Sequence, residues 1–597
     1  MEDLYHLSEF SFSAVEDNSS SSNDLFWGLN GVKKVQFSEA EQWGESGGVD
    51  SLCSNFGFFP DDPSEEEGYL LSTNQQKYHL QPSSCHDYDG QLDNLHFDMV
   101  SPPLQFVEQY PTMVVPPCDP TKDKPNSTTT PLASLEILKN YGKGFKKLLC
   151  NGGKTQQPVD ELAVVTKQKK LSTEDVMRIA GTRFIQSSSP SSELEGLQFL
   201  ETHPFGFSFS GLSDEEKEDV ALAESLLASA EKVGYQQFER ATKLLSQCKS
   251  LSSKTGNPVK RVVYYFAEAL HLRIDRETGR VSSKDLQNVE SFDPEEAAKE
   301  LNPTIVAFYE ELPFCQIAVF TAVQAIIEKV AEAKKIHIID LEIRKGGHWT
   351  ILMHALMSRH ECPIELLRIT AVESGTSSMD VVEDTGKRLK EFAKNLNIPF
   401  SFNAVIVSDM LHLKEDQFEI DPEETIAVYS HYALRTKIQQ PDQLETIMRV
   451  LRTMSPDVMV VTEIEANHNS TSFVNRFIEA LFFFSAFFDC LETYMKGDEK
   501  NRMIIESKYF SHGIRNIVAS EGEERKTRNV KVDVWRAFFS RYGMVETELS
   551  SLSLYQADLV AKRFPCSSFC TFDMNGHCLL VGWKGTPINS VSVWKFL

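Results

Sequence analysis

The pattern of apolar and polar positions changes character near residue 212. Upstream, the serines at 19–22, the pairs Pro102-Pro103 and Pro116-Pro117, the threonines at 128–130 and the serine-rich stretch 187–192 break every long period. Such segments bury too little apolar surface to offset the entropy of ordering, so residues 1–212 read as largely disordered. Two islands within them are orderable. Residues 132–149 space Leu135, Ile137, Leu138 and Phe145 among lysines, a short basic amphipathic helix. In 159–186, Ser172-Thr173-Glu174-Asp175 forms a helix start ahead of Val176, Ile179 and Ala180.

From 212 onward the periods become regular. Residues 214–248 predict helix, with one stripe at Leu222, Leu226, Ala230 and Val233 and a second at Phe238, Ala241, Leu244, Leu245 and Cys248. Residues 258–274 predict a third helix, and three broken helices cannot form one long dimer zipper. An alternation follows. Predicted strands at 336–340, 366–372, 402–407, 425–429 and 458–463 are mostly apolar throughout, and amphipathic helices at 349–358, 380–396 and 443–454 separate several of them. Strands of that kind specify a parallel sheet covered on both faces. The carboxyl end instead predicts an antiparallel hairpin, 569–574 and 578–583 around Asn575-Gly576, and a last strand near 591–595. The fold class is therefore α/β: a Rossmann-like, doubly wound, mostly parallel sheet with an N-terminal helical cap and antiparallel C-terminal strands, preceded by a long disordered region. The boundaries are 1–212 for that region and 213–597 for the folded domain, with the cap at about 214–300 and the α/β core at about 301–597.

Charge sharpens the division. The chain carries 86 Asp and Glu against 60 Lys and Arg, a formal net charge of −26. Its first 120 residues hold 21 of the acids and only 3 of the bases. Autonomous binding to nucleic acid or to an anionic membrane needs clustered cations, and this balance opposes it. Aromatics sit among the acids at Asp24-Leu25-Phe26-Trp27, at 56–71 and at 92–100. That mixture suits an acidic activation segment offered to a partner groove, or else a plain solubilising tail. The cluster Lys167, Lys169 and Lys170 reads as part of a nuclear-entry signal or as a solvated charge run. The start Met1-Glu2-Asp3 lacks the cationic and apolar runs of a secretory signal, and the most apolar stretch, 480–488, is too short to cross a bilayer, so an intracellular chain without a membrane partner is expected. Eleven scattered cysteines fit reduced thiols.

Candidate chemistry is sparse. The unit from Ile336 to Trp349 stands where a Rossmann-type fold would place a nucleotide or S-adenosylmethionine, yet the turn Leu341-Glu342-Ile343-Arg344-Lys345-Gly346-Gly347 has no G-x-G and is filled with bulky residues. Glu373 ends the second strand, where an acid could hold a ribose. Cys566, Cys570, His577 and Cys578 are metal-capable, but the adjacent strand residues His577 and Cys578 point to opposite faces, so the cysteines read as ordinary buried thiols. His337 reads as a hydrogen-bonded core residue. The helix 473–491 is apolar on two strips, Phe473, Phe477, Leu481, Phe484 and Phe488 on one and Phe482, Phe483 and Ala486 on the other. It either runs through the core or has one strip covered by another chain.

The order of these features resembles the plant GRAS domain, whose members are transcriptional regulators. Ile336-His337-Ile338-Ile339-Asp340 is similar to the family's VHIID signature, flanked by leucine-rich regions at about 214–293 and 380–413. A PFYRE-like region runs from about 422 to 528 and includes Asn467-His468-Asn469, an aromatic run at 483–489, and 514–519. The Arg-Glu unit that follows is altered, since Arg525-Lys526-Thr527-Arg528-Asn529 holds no glutamate. Trp535-Arg536, Gly582-Trp583 and Ser592-Val593-Trp594 resemble the terminal SAW region. The segment 159–165 resembles the hormone-responsive motif of the DELLA subgroup, with one leucine missing and no companion Tyr-Asn-Pro motif. The resemblance implies a nuclear, and additionally cytoplasmic, non-enzymatic regulator without cofactor or metal. It would be a scaffold for DNA-binding transcription factors and other family members, with weak or absent direct DNA contact. Its family-motif residues Ile336, His337, Ile338, Ile339, Asp340, Trp583, Ser592 and Trp594 would be structural. The cap leucines Leu222, Leu226, Val233, Leu244 and Leu245 are the expected interface. The alternative on the same fold is an S-adenosylmethionine-dependent methyltransferase.

Overall fold

The computed structural model describes residues 171–188, 212–281, 311–374, 379–525 and 528–597, with single positions at 134, 136–138, 141, 304 and 307. The acidic–aromatic segments, the lysine cluster at 167–170 and the 159–165 motif lie outside the described residues.

The chain starts with helices. Helix α1 (Thr173–Ser188) begins where Ser172 and Asp175 bond each other's backbone and side chain, the start that the sequence marks. Helix α2 (Asp214–Gly234) opens on a capping box in which Ser213 and Glu216 satisfy each other's backbone N–H. Helix α3 (Phe238–Leu251) follows, and α4 (Pro258–Glu277) has Asn257 as its cap and Pro258 in its first turn. Helix α5 (Pro313–Lys329) is buried on nearly every side and so carries no amphipathic stripe; the periodicity reading passes over it.

The alternation then runs β1 (Lys335–Asp340), α6 (His348–Met357), β2 (Leu366–Ser374), α7 (Met379–Asn395), β3 (Phe400–Val407), β4 (Thr425–His431), α8 (Pro441–Met454) and β5 (Val458–Ile464). Helix α9 (Phe473–Tyr494) comes next. Helix α10 (Glu499–Ile504) continues through a π turn, Ile505–Phe510, into α11 (Ser511–Val518). The chain closes with α12 (Val532–Ser540), β6 (Met544–Thr547), α13 (Ser551–Arg563), β7 (Cys570–Asn575), β8 (Cys578–Trp583) and β9 (Thr586–Phe596). The four-residue β6 is too short to leave an alternation that the sequence reading could find.

One sheet has the order β3-β2-β1-β4-β5-β9-β8-β7, with β6 beside the far end of β9. The first five strands are parallel, while β9, β8 and β7 pair antiparallel. Alternate residues of the parallel strands feed two cores. Ile336, Ile338, Ala427 and Val460 join the larger core with α5, α6, α7 and α9. Ile339, Val428 and Val461 join the smaller one with α8 and α12. Burial on both faces explains why these strands read as continuous apolar runs.

The helical cap is discontinuous in sequence. Helices α9 and α11, which fall inside the expected core range 301–597, pack on α4 of the cap. Helix α1, inside the expected N-terminal region, packs on α2 and α9. Both strips of α9 are buried, Phe477, Leu481, Phe484 and Phe488 as completely as Phe482, Phe483 and Ala486.

Candidate functional site

Strands β1 and β4 are neighbours, and the chain leaves them in opposite directions, toward β2 and toward β5. The crevice above their carboxyl ends is the switch point where open α/β sheets take ligands. Here the turn after β1 fills it. Leu341 and Ile343 are buried in opposite cores. The backbone takes positive φ at Glu342 (119°), Arg344 (54°) and Gly346 (60°). A Cβ at Gly346 would sit 3.0 Å from Leu389 and 3.1 Å from Thr385, so glycine there permits close packing on α7. The turn also uses its own amides: Gly346 N donates to the Ile343 carbonyl (2.9 Å), Trp349 N to Gly346 (3.0 Å) and Thr350 N to Gly347 (3.2 Å). A phosphate-cradling loop needs such amides to point at its ligand.

Side chains complete the filling. Asp340 Oδ2 accepts from Trp349 Nε1 at 2.8 Å and from His348 Nε2 at 3.1 Å. Asp340 and Trp349 are both fully buried. From β4, the Tyr429 hydroxyl lies 3.1 Å from His431 Nδ1, and His431 Nε2 lies 3.8 Å from the Cys315 thiol of α5. The His348 ring stands 5.2 Å from Tyr429 and 6.4 Å from His431. Burial, reinforced by the neighbouring His348, Arg344 and Arg435, holds the His431 pKa well below that of a free histidine. At the end of β5, Glu463 Oε1 accepts the amides of Leu434 (3.1 Å) and Arg435 (3.3 Å). Burial pushes the Glu463 pKa up to about 7, with Arg435 pulling against it.

The family-motif residues do not form one site. Ile336, Ile338 and Ile339 pack the two cores. His337 braces strands: Nε2 lies 2.7 Å from Thr370 Oγ1 of β2, and Nδ1 lies 3.1 Å from Glu424, which also accepts from Arg368. Burial lowers the His337 pKa to about 4 against the pull of Glu424. Of His337 and Asp340, only Asp340 reaches the turn after β1. Trp583 donates to Asp489 Oδ2 of α9 (2.7 Å); Trp594 donates to Ser592 Oγ within β9 (2.8 Å), and the Ser592 hydroxyl in turn reaches the Val461 carbonyl of β5 (3.4 Å).

The cap leucines require a correction. Leu222, Leu226, Val233 and Leu245 are at most 3% exposed and Leu244 is half-buried, because their stripes face α1, α4 and α9 of the same chain. A stripe reports that a face is covered and does not say by what; here the partner is internal, and these side chains are not an outer interface. Of the described residues in 525–531, Arg525 and Val530 are buried, and Lys531 Nζ bonds Glu479 at 2.9 Å. Sequence reasoning missed His348, Tyr429, His431 and Cys315 as a cluster. His348 follows Asp340 by eight residues and was within reach of a local reading. Cys315 lies 116 residues from His431 and left no signal.

Neither a metal nor S-adenosylmethionine fits these residues. Among the described residues, no group of three or more His, Cys, Asp or Glu side chains could hold a metal ion. Cys570 and Cys578 stand at opposite ends of the β7–β8 hairpin, paired with Trp583 and Asn575, five residues apart along the strand. At ~3.3 Å per residue that is far beyond shared coordination. At the switch point, Asp340 Oδ2 and the amides of Gly346, Trp349 and Thr350 are already bonded within the chain.

Comparison with known proteins places these features in a family. The GRAS domain family model matches residues 222–595. DELLA protein RGL1 of Arabidopsis thaliana is 31% identical over 383 residues, 64% of this chain and 71% of that protein. DELLA protein GAIP of Cucurbita maxima is 26% identical over 585 residues, 95% of each. The crystal structure of SCL7 in Oryza sativa superposes with a TM-score of 0.55 at 26% identity, covering 63% of this chain and 99% of that one.

Proposed function

Because the chain belongs to the GRAS domain family of plant transcriptional regulators, we propose that it works in the nucleus as a protein–protein scaffold. In this reading the folded domain holds DNA-binding transcription factors or other family members. The acidic, aromatic-bearing stretch upstream recruits further partners. Contact with DNA is indirect, in keeping with a net charge of −26 and with the burial of Arg525.

The observation that carries the reading is the filled switch point. A Rossmann-type enzyme keeps its strand-end acid and its first helix's amides available for a ligand. Here Asp340 is bonded to Trp349 and His348, the Gly346 and Trp349 amides are spent on the turn, and Leu341 and Ile343 anchor the turn in the two cores. With the crevice closed, the outer surface is left to act. The strand order 3-2-1-4-5 keeps one alternative in view, an S-adenosylmethionine-dependent methyltransferase. Isothermal calorimetry of the full chain with S-adenosylmethionine separates the two. The scaffold reading expects no heat of binding, and micromolar binding would sink it. The recruiting segment has its own test: residues 1–212 fused to a DNA-binding module should raise transcription of a reporter, and silence there removes the recruiting role alone.

A further inference from the structure

Beyond the carboxyl end of β5, a group of arginines meets that plays no part in the filled switch point. Arg273 of α4 donates to the Val518 carbonyl (3.1 Å) and to Glu521 Oε1 (2.7 Å), and also pairs with Glu277 (2.7 Å). Arg476 of α9 pairs with the same Glu521 oxygen and donates to the carbonyls of Ser470 (2.8 Å) and Thr471 (3.2 Å). Arg525 reaches the His468 carbonyl (3.2 Å), while Arg528 reaches Asn469 Oδ1 (2.9 Å) and the Gly522 carbonyl (2.8 Å). Four guanidinium groups thus converge on two short loops, 468–471 and 518–522. The acid that bridges two of them, Glu521, keeps a side chain 47% exposed.

Arg525 is the anomaly in this group. It is only 4% exposed, its hydrogen bond goes to a neutral carbonyl, and its Nε has no partner. Among the described residues, no carboxylate lies within ion-pair distance of it. The run Arg525-Lys526-Thr527-Arg528-Asn529 contains no acid. Burial, reinforced by Arg476, Arg528 and Arg273 and only partly opposed by Glu521, lowers its pKa to about 9. A buried guanidinium flanked by like charges is costly unless an anion compensates it. Arginine forks match the oxygens of phosphate two at a time, and one phosphate can serve several forks.

We propose that Arg273, Arg476, Arg525 and Arg528 form a binding site for a phosphate group, in which Glu521 holds one flank as an internal carboxylate and Arg525 supplies the flank that lacks one. The phosphate supplies the counter-charge and the acceptors that the chain withholds from Arg525. It arrives either as inorganic phosphate or on a phosphorylated side chain of a partner.

The test uses the full chain in chloride buffer, with inorganic phosphate added at constant ionic strength. Thermal unfolding and the phosphorus-31 line width are followed. We expect a saturable rise of a few degrees in melting temperature and a broadened phosphate signal. The Arg525→Gln variant should lose that response while melting at least as high as the parent in chloride, since it removes an uncompensated buried charge. A purely structural arginine would instead lower the melting temperature with or without phosphate. Competition by a phosphoserine peptide, but not by its unphosphorylated twin, assigns the source to a phosphorylated side chain; failure to compete assigns it to free phosphate. A phosphate response no larger than that to chloride overturns the site, as does a response retained in R525Q. If R525Q does not fold, the parent titration against chloride decides alone.

Discussion

Asp340 shows how much one side chain at a strand end can hold. Its carboxylate is the buried acceptor for Trp349 Nε1 and His348 Nε2, so it ties β1 to the first turn of α6. Asp340→Ala strands a buried indole N–H, and the loss of a charge-assisted acceptor costs about 2–3 kcal/mol. Urea unfolding followed by tryptophan fluorescence should show that loss, and Asp340→Asn, which keeps an acceptor, should lose less. Histidines set the acid limit of the fold. An unfolded histidine takes its proton near ~6.5, whereas burial holds His337 down to about 4 and His468 to about 3. Below the unfolded value the unfolded chain binds protons that the folded chain refuses, so these residues cost stability as pH falls. Glu174, Glu463 and Glu465 oppose them. Burial raises each from 4.5 to about 7, so across that interval the folded chain binds the extra protons and gains stability on acidification. The two sets offset one another between about 4.5 and 6.5. Below that window the histidines still act, joined by Asp421 and Glu521, whose carboxyls are held below their ordinary values by hydrogen bonds and neighbouring cations, so stability falls. His337→Gln should make the acid limb shallower by about one proton, read from the slope of unfolding free energy against pH. An unchanged slope would mean that the His337 imidazole is not held neutral.

Among the elements, α7 and β3 set helix propensity against packing. Gly386 lies inside α7, where Gly→Ala ordinarily gains about 1 kcal/mol. Its missing Cβ, however, would stand 2.4 Å from Cδ1 and 2.6 Å from Cε1 of Phe402 on β3. Overpacking of a filled core costs about 1–3 kcal/mol, so Gly386→Ala should lower the melting temperature, and a rise would show that Phe402 can step aside. Elements of this kind were legible in unequal measure. Strands β1, β4 and β5 were legible because burial on both faces leaves an almost unbroken apolar run, and the bounds of β1 and β5 moved by one residue; the half-buried edge strand β3 was legible only from Phe402, where its apolar end begins. Helix α5 has no polar side and so no period. The cap helices α2–α4 were found, yet their leucines were assigned outward because a stripe carries no address. At the switch point, the bulky turn and the strand-end acid were visible locally. The His431–Cys315 approach was not, since it is made by the sheet and not by neighbours in sequence.

At the scale of the molecule, the domain reaches farther upstream than its most periodic part. The family match begins at residue 222, yet Leu138, Val176, Met177, Ala180 and Ile185 are buried in the larger core. The texture of 1–212 hid this, because short islands between serine- and proline-rich stretches carry too few periods to reveal what they pack against. Much of what they cover is α9. Tyr141 stacks on Phe482 at 4.2 Å between ring centroids, and its hydroxyl donates to Glu479 at 2.5 Å. The Thr173 amide donates to Asp489 at 3.0 Å, and Ser134 donates to Asn475 at 2.6 Å. Helix α9 therefore depends on upstream residues for one apolar strip and for acceptors that would otherwise lose donors in a buried setting. A chain beginning at residue 212 exposes Phe482 and strips Glu479 and Asp489 of one donor each. A chain beginning at residue 130 keeps all of them. Exposed aromatic surface of this kind drives self-association. The shorter chain should melt at lower temperature and appear as oligomers by light scattering, while the longer one stays monodisperse and melts with the parent. Identical melting of the two would mean that 134–188 adds nothing to the core, and that α9 is satisfied by the cap and sheet alone.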